Sequence, residues 1–77
     1  MSLLLERITQ EPGKLGGKPC IRGMRISVSQ VLAMLGDGLN AEMILEEFPD
    51  LEAEDIQACL VYASQLTEKP NARRKSA

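Results

Sequence analysis

The stretch SVSQVLAMLGDGLNAEMILEEF, residues 27–48, decides the fold class because its apolar residues recur with the period of an α-helix. In its first half, the apolar side chains that share one helix face are Val28, Val31, Leu32 and Leu35. Ser27 precedes them with a hydroxyl suited to N-capping, and Gly36 or Gly38 is placed to end the helix. The sequence therefore predicts a first helix over about residues 28–36.

The second half of this stretch predicts another helix, over about residues 41–48. Its apolar face consists of Ala41, Ile44, Leu45 and Phe48. Asn40 has the side chain of an N-cap, and Pro49 cannot continue a helix. Because three glutamates lie on the opposite face, this helix is amphipathic.

A third helix is predicted over about residues 53–66. Its predicted core stripe is Ile56, Cys59, Leu60, Ala63 and Leu66, with Tyr62 at the edge. Ala58, Val61 and Gln65 are predicted to lie opposite that stripe. The short link of residues 48–52 gives the second and third helices the form of a helix-turn-helix. We therefore predict a mainly α fold built on a three-helix bundle.

The segment before the helices, about residues 1–27, is interrupted by glycine and proline and predicts a short β-hairpin. Pro12 and Gly13 fit the central positions of a type II turn. A second turn is predicted at Gly23, which can take the left-handed conformation. The predicted strand pieces around that turn are Cys20 with Ile21 and Arg25 with Ile26, and residues 3–8 are a candidate further strand.

The predicted domain is single and spans residues 1–69. Residues 70–77, PNARRKSA, have nothing to bury, so we expect a disordered basic tail there. The longest early apolar run covers only residues 3–5, against the roughly 20 residues that a membrane span needs. We therefore expect a cytoplasmic protein that does not bind a membrane.

The residue inventory argues against an enzyme. The chain has no His, and no Ser or Cys stands beside an obvious general base. Cys20 and Cys59 are far apart and have no second pair, so they indicate neither a disulfide framework nor a zinc site. We expect buried, reduced thiols, no metal or other cofactor, and no small-molecule substrate.

The formal net charge of −2 hides a segregated charge distribution. Residues 1–25 carry five basic and two acidic side chains, residues 26–68 carry nine acidic and no basic ones, and residues 69–77 carry four basic ones. The candidate nucleic-acid-binding residues are Lys18, Arg22, Arg25, Arg73, Arg74 and Lys75. The alternative role of these cations is solubility and the protection of exposed strand edges.

The third helix is a poor candidate for reading a DNA groove because its first turn carries Glu54 and Asp55 and the helix has no Lys or Arg. The acidic helical surface is either an ordinary solvated face or a negative patch that docks onto a basic partner. For the second alternative, the candidate partner-binding residues are Glu54, Gln57, Val61 and Gln65.

A specific set of short motifs stands between residues 8 and 63. They are Gly17, Lys18 and Pro19 with Ile21, Gly23, Arg25 and Ile26, then Gly38 and Ile44, then Pro49, Asp50 and Leu51, and last Leu60, Tyr62 and Ala63. On these motifs the chain resembles the domain of unknown function 433 family. It departs from the family pattern at Met24 and Ser27, where Thr and Pro are frequent, and near Glu52, where Thr or Ser is common. The last departure leads us to expect a less well capped third helix.

The resemblance implies a helix-turn-helix protein, homeodomain-like or winged-helix-like, that is the antitoxin of a bacterial type II toxin–antitoxin pair. Its implied partner is a PIN-like ribonuclease toxin, and its own promoter DNA is a second expected ligand. No catalytic residue carries over from the family.

The charge distribution and the resemblance combine into one leading hypothesis. The acidic helices face the partner protein, and the basic chain ends contact DNA in a homodimer that covers the strand edge of residues 3–8. The alternatives are a stand-alone DNA-binding transcriptional regulator and a structural dimerisation module.

Overall fold

Three α-helices follow a short β-hairpin in the computed structural model, which describes residues 3–67. The helices are α1 (Val28–Gly36), α2 (Ala41–Glu47) and α3 (Ala53–Leu66). The strands β1 (Ile8–Thr9) and β2 (Cys20–Ile21) pair antiparallel, with Ile8 opposite Ile21. These elements confirm the mainly α, three-helix fold with an N-terminal hairpin. The predicted tail of residues 70–77 lies outside the described residues.

The predicted ends of α1 are confirmed by their hydrogen bonds. The Ser27 hydroxyl accepts from the Gln30 N–H at 3.0 Å, as an N-cap does. After the helix, Gly38 takes a φ of +101°, and the Leu39 N–H donates to the Met34 carbonyl at 3.1 Å. This Schellman-type ending satisfies a carbonyl that the helix leaves without a partner.

The next two helices also have capped N-termini. The Asn40 side chain accepts from the Met43 N–H at 2.9 Å, which confirms the predicted N-cap of α2. In α3 the Asp55 carboxylate accepts from the Glu52 N–H at 2.8 Å, so the expectation of a less well capped third helix is wrong. Asp55 is the N3 residue of a capping box, and its carboxylate accepts from the backbone N–H of the N-cap residue, Glu52.

The predicted strand over residues 3–8 is wrong, because Leu3–Arg7 forms a 3-10 helix that packs against α3. Three consecutive leucines lack the alternation of a half-buried strand, so the segment has no register in which one face is apolar. Only Ile8–Thr9 is extended, and it is paired with Cys20–Ile21. The long open edge on which we based a homodimer is therefore absent from residues 3–67.

The first turn of the hairpin loop differs from the prediction in type. The Lys14 N–H donates to the Glu11 carbonyl at 3.0 Å, so a turn does centre on Pro12 and Gly13. Gly13 does not have a positive φ, which a type II turn requires at that position. The type II assignment is therefore wrong.

The turn after β2 brings an arginine into an unusual backbone conformation. The Met24 N–H donates to the Ile21 carbonyl at 2.8 Å, and the two residues between them have φ values of +46° at Arg22 and +72° at Gly23. Two positive φ values define a type I′ turn, and they confirm the left-handed Gly23. The predicted pairing with Ile26 survives as one hydrogen bond, from the Ile21 N–H to the Ile26 carbonyl at 3.0 Å.

The core lies where the hairpin and the three helices meet. Its buried apolar members are Ile21, Val28, Val31, Ile44, Leu51, Ile56 and Cys59. Of the helices in residues 3–67, none combines the length and the hydropathy that a bilayer crossing needs.

The buried face of α3 is rotated by roughly 60° about the helix axis from the predicted face, because successive residues of an α-helix are about 100° apart. Ala58, which we predicted to be exposed, has no accessible surface, whereas Leu60 and Leu66 are 49% and 64% exposed. The rotation has a clear cause, since the N-terminal 3-10 helix packs on α3 and its Arg7 reaches Asp55. The buried arc of α3 therefore includes the side that carries an acid.

Candidate functional site

The most connected polar residue of the described chain is Asp55, whose side chain is completely buried. Arg7 donates to it through Nη1 at 2.9 Å. Arg22 donates through Nε at 3.0 Å and through Nη2 at 2.8 Å, so its guanidinium grips the carboxylate with two nitrogens. We call these three residues the Asp55 cluster.

The Asp55 cluster joins three separate segments of the chain. Asp55 lies in the first turn of α3, Arg7 ends the 3-10 helix, and Arg22 occupies the type I′ turn. Arg22 also donates to the Asp50 carbonyl at 2.8 Å, and Arg7 pairs with Glu52 at 2.8 Å. The cluster therefore fixes the N-terminal 3-10 helix and the type I′ turn after β2 against the start of α3.

The electrostatics of the cluster keep Asp55 ionised. Burial is the largest single influence and raises the pKa of Asp55, because a carboxylate loses hydration in the interior. The hydrogen bonds from Arg22, the Glu52 N–H and Arg7 together outweigh burial and hold that pKa below its usual value. The hydrogen bond to Glu52, followed by that to Asp55, raises the pKa of Arg7, and the hydrogen bonds to Asp55 raise the pKa of Arg22, so the cluster is charged at neutral pH.

The N-terminal cations divide into paired and unpaired ones. Arg7 and Arg22 belong to the cluster, and Lys14 pairs with Glu11 at 3.4 Å and donates to the Gly23 carbonyl. Lys18 and Arg25 are exposed, and neither side chain forms a hydrogen bond or ion pair within residues 3–67.

These contacts divide the candidate nucleic-acid-binding residues into three groups. Arg22 is one of them, and two of its nitrogens are already bound to Asp55. Lys18 and Arg25 are the two with unoccupied side chains in residues 3–67. Arg73, Arg74 and Lys75 lie outside the described residues, and all six stay predictions.

The predicted partner-binding residues share one face of α3. Glu54, Gln57 and Gln65 are exposed there, whereas Val61 is half-buried. Sequence reasoning missed Leu60, which it placed in the core and which lies beside this face with 49% of its surface exposed. The local sequence does not indicate that Leu60 is exposed, because its exposure results from the burial of Asp55, which rotates the buried face of α3.

The exposed charged side chains of the helical segment, residues 26–67, are all acidic. Its seven exposed acids are Asp37, Glu42, Glu46, Glu47, Asp50, Glu52 and Glu54. Residues 26–67 contain no Lys or Arg, so only Glu52 among these acids has a cationic partner, and that partner is Arg7 of the N-terminal segment. The helical body therefore presents a surface of one sign.

The two thiols offer no reactive group at the surface. Cys20 and Cys59 are both buried and unpaired by a disulfide. Burial raises the pKa of Cys59 to about 11, which keeps it protonated. Within residues 3–67, no three His, Cys, Asp or Glu side chains come together in a way that could hold a metal ion.

The fold and these surfaces define a class of small helical protein with a helix-turn-helix arrangement, an N-terminal hairpin and an acidic exterior. Residues 8–63 match the model of the family described as protein of unknown function (DUF433). The chain belongs to this family.

Two relatives illustrate the match. The crystal structure of a DUF433 member protein from Anabaena variabilis is similar with a TM-score of 0.74 and 36% identity, over 77% of this chain and 58% of that one. The uncharacterized protein y4eO of Sinorhizobium fredii is 41% identical over 58 residues, which are 75% of this chain and 26% of that protein. The chain thus spans only part of the length of both relatives.

Proposed function

We propose that this protein is a small, non-enzymatic binding module of the cytoplasm, the antitoxin of a bacterial type II toxin–antitoxin pair that binds a PIN-like ribonuclease. The observation that carries the proposal is the single sign of the helical surface, with seven exposed acids and no basic residue in residues 26–67. The class of partner comes from the family resemblance.

A ribonuclease suits this surface chemically. An enzyme that cleaves RNA needs cationic side chains to hold phosphates, and these cations attract a negative protein surface over the distance of a Debye length, about 8 Å at physiological salt. Asp37 after α1 and the glutamates of α2 supply that attraction. The α3 face then supplies contacts, with Glu54, Gln57 and Gln65 as polar groups and Leu60 as an apolar anchor.

Co-expression with the product of the neighbouring gene, followed by size exclusion chromatography, tests the proposal. We expect the two proteins to co-elute at 0.15 M salt, and separate elution would contradict the antitoxin role. Leu60→Asp is expected to break the complex, because it replaces the exposed apolar anchor beside the α3 face with a charge. Met43→Asp on α2 is the matched control, since Met43 has the same 49% exposure and lies outside that face.

DNA binding is a second candidate, supported by the unpaired and exposed Lys18 and Arg25. Two phosphate contacts predict a slope of log affinity against log salt near −1.8, at about −0.9 per contact. A gel shift with the protein's own upstream DNA, alone and with the partner, measures it. No shift in either case would remove the regulator role.

A homodimer remains part of the proposal for DNA contact, although the strand edge that suggested it is not present. Sedimentation at several concentrations tests it, and a melting temperature that does not change with concentration would contradict it.

A further inference from the structure

We propose that an open cleft between the N-terminal 3-10 helix and the first turn of α3 receives a basic side chain of the partner protein, together with an apolar side chain next to it. The inference rests on the proposed protein-binding function and names the chemistry of the segment that docks. The cleft has a volume of about 730 Å³. Its walls include Leu3, Leu4, Glu6, Glu52 and Glu54, and the two arginines of the Asp55 cluster complete them.

The charge of the cleft favours a cation. Glu6 and Glu54 are exposed and form no ion pair within residues 3–67. Arg7 and Arg22 do not offset them, because Asp55 and Glu52 already balance those two charges. Two glutamates that line one cleft are therefore left to bind a Lys or Arg from outside.

The same contacts disfavour an anionic ligand. Nη1 of Arg7 and both Nε and Nη2 of Arg22 donate to Asp55, so these N–H groups are occupied. A phosphate or carboxylate in the cleft would also lie beside Glu6, Glu52 and Glu54. Repulsion by the unpaired carboxylates of Glu6 and Glu54 disfavours it.

The apolar part of the cleft favours a protein segment over a free cation. Most of the exposed wall is carbon, and Leu3 keeps 75% of its surface accessible. A partner side chain that covers this exposed leucine removes apolar surface from water, which favours binding. The volume falls in the range of roughly 300–1,000 Å³ that holds compact ligands, so a short peptide segment fits.

The cleft is also continuous with the α3 face of the proposed function. Glu54 belongs to both, since it lines the cleft and lies on the helix face with Gln57. A partner segment that enters the cleft therefore continues along α3 without crossing a gap in the surface.

Crosslinking from inside the cleft locates the docked segment. Leu3→Cys gives one exposed thiol for a benzophenone maleimide, because Cys20 and Cys59 are buried. In the complex with the neighbouring gene product, we expect this probe to crosslink to a segment with Lys or Arg beside an apolar residue. The control probe at Met43→Cys on α2 is expected not to crosslink. Crosslinks from Met43→Cys alone, or to a segment without basic residues, would overturn the inference.

Paired charge removal separates the cleft from general attraction. Glu6→Gln with Glu54→Gln is expected to weaken partner binding at least about tenfold, the scale of losing a specific charge pair. Glu46→Gln with Glu47→Gln on α2 makes the same change in net charge, and we expect less than about a threefold effect.

The outcomes distinguish the two proposals. If wild-type protein does not bind the neighbouring gene product, the proposed function fails and the cleft inference fails with it. If wild-type protein binds and both pairs of substitutions weaken binding equally, the cleft has no special role and the inference alone is overturned.

Discussion

Replacing Asp55 with alanine removes the acceptor of two arginines and of the Glu52 N–H at once. Breaking a buried ion pair by deleting one partner costs about 3–5 kcal/mol, because the remaining charges lose their counter-ion. Arg7 and Arg22 keep 27% and 36% of their side-chain surface exposed, so water stabilises them in the variant. We therefore expect Asp55→Ala to lower the free energy of unfolding by the lower end of that range, about 3 kcal/mol.

The loss is large compared with the stability of a domain this small. At about 0.05–0.15 kcal/mol per residue, a chain of 77 residues has roughly 4–12 kcal/mol. Urea unfolding followed by circular dichroism at 222 nm measures the change at pH 7. With a slope of about 1 kcal/mol per molar urea, the midpoint is expected to fall by about 3 M.

Two controls make this result interpretable. Asp50→Ala removes an exposed carboxylate whose residue contributes only its backbone carbonyl to Arg22, and we expect less than about 0.5 kcal/mol. Asp55→Asn keeps an acceptor for the Glu52 N–H and loses the charge, so its stability is expected to lie between those of wild type and Asp55→Ala. Loss of less than about 1 kcal/mol in Asp55→Ala would refute the view that the cluster holds the fold together.

Three further predictions follow from the same contacts and from the turns. The folded-state pKa of Asp55 is lowered, so the stabilisation by its carboxylate is present above the unfolded pKa of about 3.9 and is lost as pH falls through the folded pKa. In Asp55→Asn, the free energy of unfolding should therefore change less with pH below about pH 4 than it does in the wild type. Ellman's reagent at pH 8 should leave Cys20 and Cys59 unmodified until urea unfolds the chain, and fast labelling of the native protein would contradict their burial. Gly23→Ala should lower the urea midpoint by the equivalent of about 1–2 kcal/mol, since a φ of +72° strains any residue with a Cβ. Gly36→Ala, in open space at the end of α1, should instead raise the free energy of unfolding by about 0.5–1 kcal/mol.

The parts of the fold that the sequence predicted well are coded locally. Ser27 and Asn40 cap helices that begin one residue later, and the acceptor and donor are three positions apart in each case. Gly38 ends α1 in the conformation that only glycine takes without strain. Such signals need no knowledge of the rest of the chain.

The features of the fold that could not be predicted from the sequence depend on contacts between residues far apart in the chain. An aspartate in the first turn of a helix is normally solvated, and Asp55 is buried only because Arg22 and Arg7 reach it from 33 and 48 positions away. The buried face of α3 is therefore rotated and Leu60 is exposed, so these two long-range contacts altered both the predicted core and the predicted docking face. Among the candidate site residues, the exposure of Glu54, Gln57 and Gln65 can be predicted from the helix period. The ion pair of Arg22 with Asp55 cannot be predicted in this way.

The place of Arg7 has a practical consequence for anyone who trims this protein to the residues that match the family. The residues that match the family begin at Ile8, one position after Arg7. A fragment trimmed to that boundary would lack one of the two guanidinium groups around the Asp55 carboxylate, together with the short helix that covers α3. Expression of such a fragment should therefore start several residues upstream of the family boundary.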